Sequence, residues 1–440
     1  MTFGRLYIIA SLMMASVSSS PHVLGYIGGG LGLLAIDMFY LLGFVLFTIY
    51  LFLRKTFALP YQFVFLFFLF ILHVVIGAVF NQTDQGAIIS GIRAYFRFLP
   101  FFLIPVVMYK DGWNVTSNKL LIAILLMQVP FAFLQRFVFY PNMDTGDVVR
   151  GTAGTGSMMA ICLVCAIALV FGLYIRKEIA LKRAALIALV LFVPVTIGEI
   201  KGAIVLFVIG ILAIGLSGYS SRQLKNLFLL AIPFVIVFGV TYDALYSRGS
   251  ERSIVDFITD PDRALRYLAP RHGGYIDHKE EGEGPFGRID RIIAPLKEFE
   301  NEPVRFFFGV GIGNTSSSRF EFLSGDFAWA NDSRLVGNSV SRIIWEFGLF
   351  GLIIFISLPI MQCMYIRKCV KKFGVIRGDC IGWFAVNAII VIALFYKDII
   401  PSSFVMSLYF FTSGVIMSNL YADVAKKRMA ALQETKISLA

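Results

Sequence analysis

The chain has 440 residues, of which 58% are hydrophobic and 15% are charged, and its formal net charge is +11 at pH 7. Soluble proteins are usually about 45–50% apolar and about 25% charged. The composition therefore excludes an ordinary soluble globular protein and indicates a protein of the lipid bilayer.

Long apolar stretches recur along the whole chain, and a helix of roughly 20 apolar residues is long enough to span a bilayer. They predict an all-α polytopic integral membrane protein with about twelve transmembrane helices. The predicted spans are residues 6–20, 31–53, 61–80, 87–108, 119–138, 157–175, 184–198, 202–219, 227–246, 343–366, 381–396 and 402–421.

Basic residues cluster between alternate predicted helices. The clusters lie at residues 54–55, 110–119, 176–183, 222–225, 367–377 and 426–428. Because loops rich in Lys and Arg remain in the cytoplasm, these segments are expected there, and an even number of helices then places both termini in the cytoplasm. Membrane topology explains the positive charge, and we expect no nucleic-acid partner.

One long polar segment interrupts the apolar pattern after the ninth predicted helix. By the helix count it lies outside the cytoplasm, and its mixed charges do not form a basic patch. Short helices are expected within it at 253–267 and 289–300, with Pro295 causing a kink or a later start in the second. The predicted division of the chain is helices one to nine (1–246), a large periplasmic loop or cap (247–342), helices ten to twelve (343–421) and a cytoplasmic tail (422–440).

The cysteines and histidines give little sign of chemistry. The five cysteines fall in predicted helices or cytoplasmic loops, so no disulfide framework is expected. Cys162 and Cys165 are interpreted as core residues of an apolar helix, and so is His73. His272 and His278 are six residues apart with no nearby Cys, so we expect neither a metal nor a cofactor.

Charged and polar residues gather at the predicted outer ends of several helices. A long side chain at a helix end usually reaches to the lipid headgroups at little cost, which is the simpler interpretation of each one. The other interpretation is that several cations converge on one anionic ligand, since Arg binds phosphate through two hydrogen bonds. Spacing alone leaves both open. The residues concerned are Arg93, Arg97, Arg150, Lys201, Arg288, Arg291, Asn338, Ser339, Arg342 and Glu346.

Four short motifs between residues 150 and 351 resemble, in order, those of the bacterial O-antigen ligase and polysaccharide polymerase superfamily. RGTAGTGSMMA (150–160) is similar to its Arg-x-x-Gly-Thr turn, and EIKGAIVLF (199–207) to its Ser-Arg-Gly-Ala helix start, with Lys in the Arg position. GRIDRIIAPLKEFENEPVRFFFGVGIGN (287–314) is similar to an Arg-led helix followed by a Gly-x-Gly-x-Gly turn. GNSVSRIIWEFGLFG (337–351) resembles its His-Asn…Glu-x-Gly-x-x-Gly stretch.

The chain departs from these patterns at two places. The Asn-Pro often found in the first turn is absent, and Gly337 stands where ligase members carry the His that is thought to act as, or orient, the base. The second departure favours a polymerase over a ligase.

The resemblance implies a metal-independent glycosyltransferase of the bacterial inner membrane, with its active face in the periplasm. It would transfer a glycan from an undecaprenyl-pyrophosphate carrier to another lipid-linked repeat unit, without a cofactor. The implied partners are that lipid-linked oligosaccharide and membrane lipid, with a flippase and a chain-length regulator as further candidates.

The resemblance also implies roles for the polar residues. Arg150, Lys201 and Arg288 would clamp the leaving pyrophosphate, with Arg93, Arg97 and Arg291 as further substrate-binding cations. Asn338 and Ser339 would orient the acceptor hydroxyl or a loop. Arg342 is a substrate-binding candidate that, at spacing i, i+4, can also pair with Glu346 as a structural partner. The base is unassigned, and the nearby carboxylates are Glu199, Glu321 and Asp332.

Three alternatives stay open at this point. A ligase would move a finished glycan onto lipid A core or a protein, and a transporter of lipid or polysaccharide would use a polar site near the bilayer midplane. A scaffold in an assembly complex would tolerate replacement of all these arginines.

Overall fold

The computed structural model describes residues 6, 7, 9, 10, 12, 30–54, 57–108, 113–141, 146–217, 222–246, 287–318, 321–332, 335–374 and 377–439. Every regular element in these ranges is a helix, which confirms the predicted all-α class. The loop helix expected at 253–267 and most of the first predicted span lie outside the described residues.

The α-helices are numbered here in chain order. Those before the polar loop are α1 Gly30–Arg54, α2 Tyr61–Phe80, α3 Gln85–Phe96, α4 Leu99–Val107, α5 Trp113–Leu126, α6 Gln128–Phe133, α7 Gly156–Ile175, α8 Leu181–Ile197, α9 Gly202–Leu216 and α10 Arg222–Tyr246. Those within and after it are α11 Arg288–Glu298, α12 Pro303–Phe308, α13 Ala328–Asp332, α14 Ser339–Phe373, α15 Gly378–Tyr396 and α16 Ser403–Leu439. Leu134–Phe139 continues α6 as a π-helix, and short 3-10 turns lie at Gly146–Val148 and Glu321–Leu323.

Among the described residues, seven helices are long and apolar enough to cross a membrane. An eighth span results if α3 and α4, which meet at a 50° bend, are taken together. Helices occur at every predicted position from 31 onward, while a count of twelve spans remains a prediction. The segment expected to be a separate tail from residue 422 continues as helix to Leu439.

The centre of the bundle is α7, which packs against α8, α9 and α15. Its sequence carries no charged residue, and its side chains are buried on all sides, as expected of a helix without a polar face. Cys162 is buried and Cys165 half-buried within it. By contrast, α2 leaves much of its apolar surface exposed, as a helix that faces lipid does.

The long helix α14 is broken at Gly348, where φ is +63° and ψ is −165°. A break leaves backbone carbonyls without their helical partners, which is costly in a bilayer because no water replaces them. Three groups from outside the helix fill these positions. Val310 N–H donates to Trp345 O (2.8 Å) and Gly311 N–H to Glu346 O (3.1 Å), and Nε2 of His73 lies 2.8 Å from Phe347 O.

Glycine is needed on both sides of this joint. A Cβ on Gly348 would lie 2.4 Å from the carbonyl carbon of Phe307, and one on Gly309 would lie 2.4 Å from that of Glu346. The Gly-x-Gly-x-Gly turn at 309–313 is therefore a backbone clamp on α14. The sequence predicted one uninterrupted helix here. The break could not be seen locally, because the groups that bind the freed carbonyls of α14 lie 35 to 274 residues away along the chain.

The described part of the polar loop lies on α14. Helix α11 begins at Arg288, where Gly287 N–H donates to the Asp290 carboxylate (3.0 Å), and its Pro295 is accommodated inside the helix. The helix expected at 289–300 is therefore present, and of the two effects expected of Pro295 a later helix start does not occur. Ile292 and Leu296 pack on the core, which docks α11 beside the start of α14.

We expect His73→Phe to lower the free energy of unfolding by about 1–3 kcal/mol, because the buried Phe347 carbonyl loses its donor. Phenylalanine keeps the ring stacking on Phe308 (centroids 5.3 Å apart), so the loss isolates the hydrogen bond. The five cysteines are buried or half-buried, so thermal unfolding in detergent can be followed with a thiol-reactive dye. His73→Gln, which retains a donor, is the control, and equal melting temperatures for both variants would contradict this account.

Candidate functional site

The loop between α15 and α16, residues 397–402, contacts three of the predicted site residues, Arg97, Ser339 and Arg342; we call it the connecting loop. The start of α14 is tied to it through Ser339. Its N–H donates to Lys397 O (3.3 Å), and its hydroxyl lies 3.2 Å from Oδ1 of Asp398 and accepts from Ile399 N–H at 2.8 Å. Ser339 therefore holds the start of α14 against the connecting loop.

A buried ionic network joins α14 to the same loop. Nε of Arg342 lies 2.7 Å from Oδ2 of Asp398, and its Nη1 lies 3.6 Å from Oε1 of Glu346. Glu346 also accepts from Gly313 N–H (3.0 Å) and from the Thr315 hydroxyl. The Arg342–Glu346 pair expected from spacing is present, and its charges are occupied in holding α14, the glycine turn and the connecting loop together.

Lys201 and Arg288 lie over the rings of two different tyrosines. The guanidinium carbon of Arg288 lies 4.5 Å from the ring centroid of Tyr396, the last residue of α15, whereas Nζ of Lys201 lies 5.3 Å from the ring centroid of Tyr242. Gly202, the residue after Lys201, packs against the Tyr396 ring, since a Cβ there would lie 2.5 Å from ring atoms. Asn338 completes the arrangement, because its Nδ2 donates to Arg288 O at 3.2 Å.

Arg150 lies in a turn that packs beside Lys201. The carboxylate of Glu199 holds the two turns together, since it accepts from Gly146 N–H (3.0 Å) and from the Tyr242 hydroxyl (2.9 Å). The Arg150 N–H donates to Oε1 of Gln135 (2.8 Å), while its side chain is exposed. Glu199, one of the carboxylates considered as a base, is thus engaged in structure.

Arg93 and Arg97 lie at the far end of the connecting loop. Nε of Arg93 is 2.8 Å from Oδ2 of Asp37 in α1. Arg97 approaches the same carboxylate at 3.9 Å and donates to Pro401 O at 2.7 Å. These two cations therefore link α1 and α3 to the connecting loop, away from the Tyr396 ring.

The side chain of Arg291 lies against the backbone of Gly337. A Cβ added to Gly337 would come within 2.0 Å of Nη1, 2.3 Å of Cζ and 2.5 Å of Cδ of Arg291. The space that a side chain at position 337 would occupy is filled by a guanidinium from α11. We call Lys201, Arg288 and Arg291 the cation cluster.

An apolar crevice of about 60 Å³ lies between the helices. It is lined by side chains of α2, α3, α4, α14, α15 and α16 together with Ile399 of the connecting loop. A smaller cavity of about 30 Å³ between α5, α7, α15 and α16 is also apolar.

The predicted site residues fall into four groups. Arg288, Arg291 and Asn338 meet around Tyr396 and Gly337. Lys201 lies over the Tyr242 ring, whose hydroxyl binds Glu199 in the turn that packs beside the Arg150 turn. Ser339 and Arg342 lie across the connecting loop, and Arg93 and Arg97 pair with Asp37. Sequence reasoning missed the connecting loop itself, although KD followed by a proline between two apolar helices is an available signal for it.

Of the carboxylates considered as a base, Glu199 lies nearest to the cation cluster, because it accepts from the hydroxyl of Tyr242, the ring under Lys201. Glu321 is exposed in a 3-10 turn, and the side chain of Asp332 lies outside the described residues. Across the described ranges no group of three or more His, Cys, Asp or Glu side chains is placed to hold a metal ion. No protein-family model matches the chain, and no curated protein matches it.

We expect Arg342→Gln to cost about 3–5 kcal/mol of stability, because it leaves the carboxylates of Asp398 and Glu346 buried without their cation. The matched control is Arg305→Gln. Arg305 pairs with Glu302 at 2.7 Å, but these side chains are 38% and 50% exposed, so its loss should cost less than about 1 kcal/mol. Melting temperatures of the purified variants check this, and equal losses for the two would refute the assignment of a buried network.

Proposed function

We propose that this protein is a membrane glycosyltransferase whose donor is a glycan on a polyprenyl pyrophosphate. Within that class we propose that it is a polysaccharide polymerase, which joins lipid-linked repeat units. The observation that carries the proposal is the cation cluster, together with an apolar crevice between the helices.

The reaction needs stabilisation of the charge on the leaving group more than it needs a covalent enzyme intermediate. The bond between the sugar anomeric carbon and the pyrophosphate oxygen breaks, the acceptor hydroxyl oxygen bonds to that carbon, and the hydroxyl proton is released. The negative charge that develops on the departing pyrophosphate is stabilised by fixed cations. Lys201 supplies one such charge over the Tyr242 ring and Arg288 another over the Tyr396 ring, and the exposed Arg150 side chain lies at the same end of the bundle.

The crevice supports a lipid-linked substrate. It is lined by side chains such as Phe70, Phe355 and Leu358, a surface that favours hydrocarbon over any polar chain. Ile399, one of the residues that line the crevice, is three residues along the chain from Tyr396. In this proposal a lipid with a charged head places the head at the cation cluster and part of its tail in the crevice.

Gly337 favours the polymerase over the ligase, because the position of the ligase His is occupied by Arg291. A transporter is disfavoured because both cavities described between the helices are apolar. The proposal includes twelve spans in a bacterial inner membrane, both termini in the cytoplasm and the cation cluster at the periplasmic face, with a flippase and a chain-length regulator as partners.

We expect Arg288→Ala and Lys201→Ala to reduce polymer formation about 100-fold or more, since each removes a charge that acts on the leaving group. The measurement is polymer length and amount on gels, from a deletion strain complemented with each tagged variant, with membrane levels checked by immunoblot. Arg305→Ala, an arginine that contacts Glu302 and Phe327, is the matched control. Normal amounts of full-length polymer from the cluster variants at normal protein levels would exclude the clamp.

The deletion strain itself separates the two enzymes. Loss of a polymerase leaves single repeat units, whereas loss of a ligase leaves finished polymer that is not attached to its acceptor. If polymer length and attachment were both unchanged, the glycosyltransferase proposal would be wrong.

A further inference from the structure

We propose that the absence of a side chain at Gly337 leaves the space in which the Arg291 guanidinium lies. Held there, Arg291 and Arg288 together form a two-arginine site for a pyrophosphate oxyanion. This inference rests on the proposed function. The sequence resemblance already implies substrate binding by Arg291, and what the structure adds is a positioning role for Gly337 through its contact with that arginine.

The contact between Gly337 and Arg291 involves several atoms of the arginine side chain. The atoms that a Cβ would meet run from Cδ through Cζ to Nη1, so the end of the side chain lies along the glycine backbone. Gly337 is not among the glycines with a positive φ. Its backbone conformation is therefore open to any residue, and the requirement for glycine is one of space alone.

The two helices that carry this contact are fixed next to each other. The Asn338 side chain accepts from Ser341 N–H (2.8 Å), which caps α14, and donates to Arg288 O (3.2 Å), which holds the first residue of α11. Since Gly337 precedes Asn338, this bridge sets the distance between the glycine and α11. Arg291 is one turn after Arg288 and so shares its face of α11.

Both guanidinium groups are thus restrained before any ligand arrives. Arg288 is held against the Tyr396 ring, and Arg291 against the Gly337 backbone. Binding an anion with a free arginine costs the conformational entropy of a long side chain, and prior restraint removes part of that cost. A pyrophosphate offers several oxygen atoms, so two guanidinium groups a turn apart can each donate to it.

The test measures equilibrium binding of undecaprenyl pyrophosphate to the full-length protein in nanodiscs. We expect Arg291→Ala to weaken binding about tenfold or more, as for a lost charge-assisted hydrogen bond. Gly337→Ala should weaken it by a comparable factor although Arg291 is still present. The double variant should bind no more weakly than Arg291→Ala alone, because the glycine acts only through the arginine. Arg291→Lys should recover part of the affinity.

Gly215→Ala is the matched glycine control, because a Cβ there would meet nothing closer than 3.8 Å. If Gly337→Ala unfolds, the double variant, in which the space is cleared, still provides the comparison with Arg291→Ala. Wild-type affinity in Gly337→Ala, or a double variant that loses the product of the two single effects, would overturn the inference while leaving the proposed function standing. A wild-type protein that does not bind this lipid would overturn both.

Discussion

The structure depends on the rule that a polypeptide in a bilayer must satisfy its own backbone polar groups. Helix α14 breaks that rule locally at Gly348 and is repaired from outside by Val310, Gly311 and His73. These backbone hydrogen bonds join the polar loop to α14. As a result, α11 and the glycine turn are held in a defined place against that helix.

Buried charged side chains are likewise paired with partners inside the protein. Arg342 is balanced by Asp398 and Glu346, and Arg97 lies near Asp37 with a hydrogen bond to Pro401 O. These contacts all end on or beside the connecting loop, so they fix its course between α15 and α16. The cation cluster lies at one edge of this framework, where Lys201 and Arg288 contact aromatic rings and Arg291 contacts the Gly337 backbone.

Local patterns predicted a good part of this structure. Runs of apolar residues located the helices from residue 31 onward, and the i, i+4 spacing predicted the Arg342–Glu346 pair. The break at Gly348 was not predicted, because a glycine in an apolar helix is ordinary and the donors that repair it come from elsewhere in the chain. Asp398 was missed for a similar reason, since its partner Arg342 is 56 residues away. Of the site residues, the sequence indicated the end of the bundle where they lie, but not which cations are paired with carboxylates.

The length of α16 has a consequence for where this arrangement sits. Lys427 donates to Phe373 O and Gly374 O at the far end of α14 (2.8 and 3.2 Å), within the basic group formed with Lys426 and Arg428. From Ser403 to Lys427 a helix rises about 36 Å at 1.5 Å per residue, slightly more than the roughly 30 Å of a hydrocarbon core. Lys427 and the connecting loop therefore stand at opposite ends of a helical segment about as long as the hydrocarbon core of a bilayer is thick.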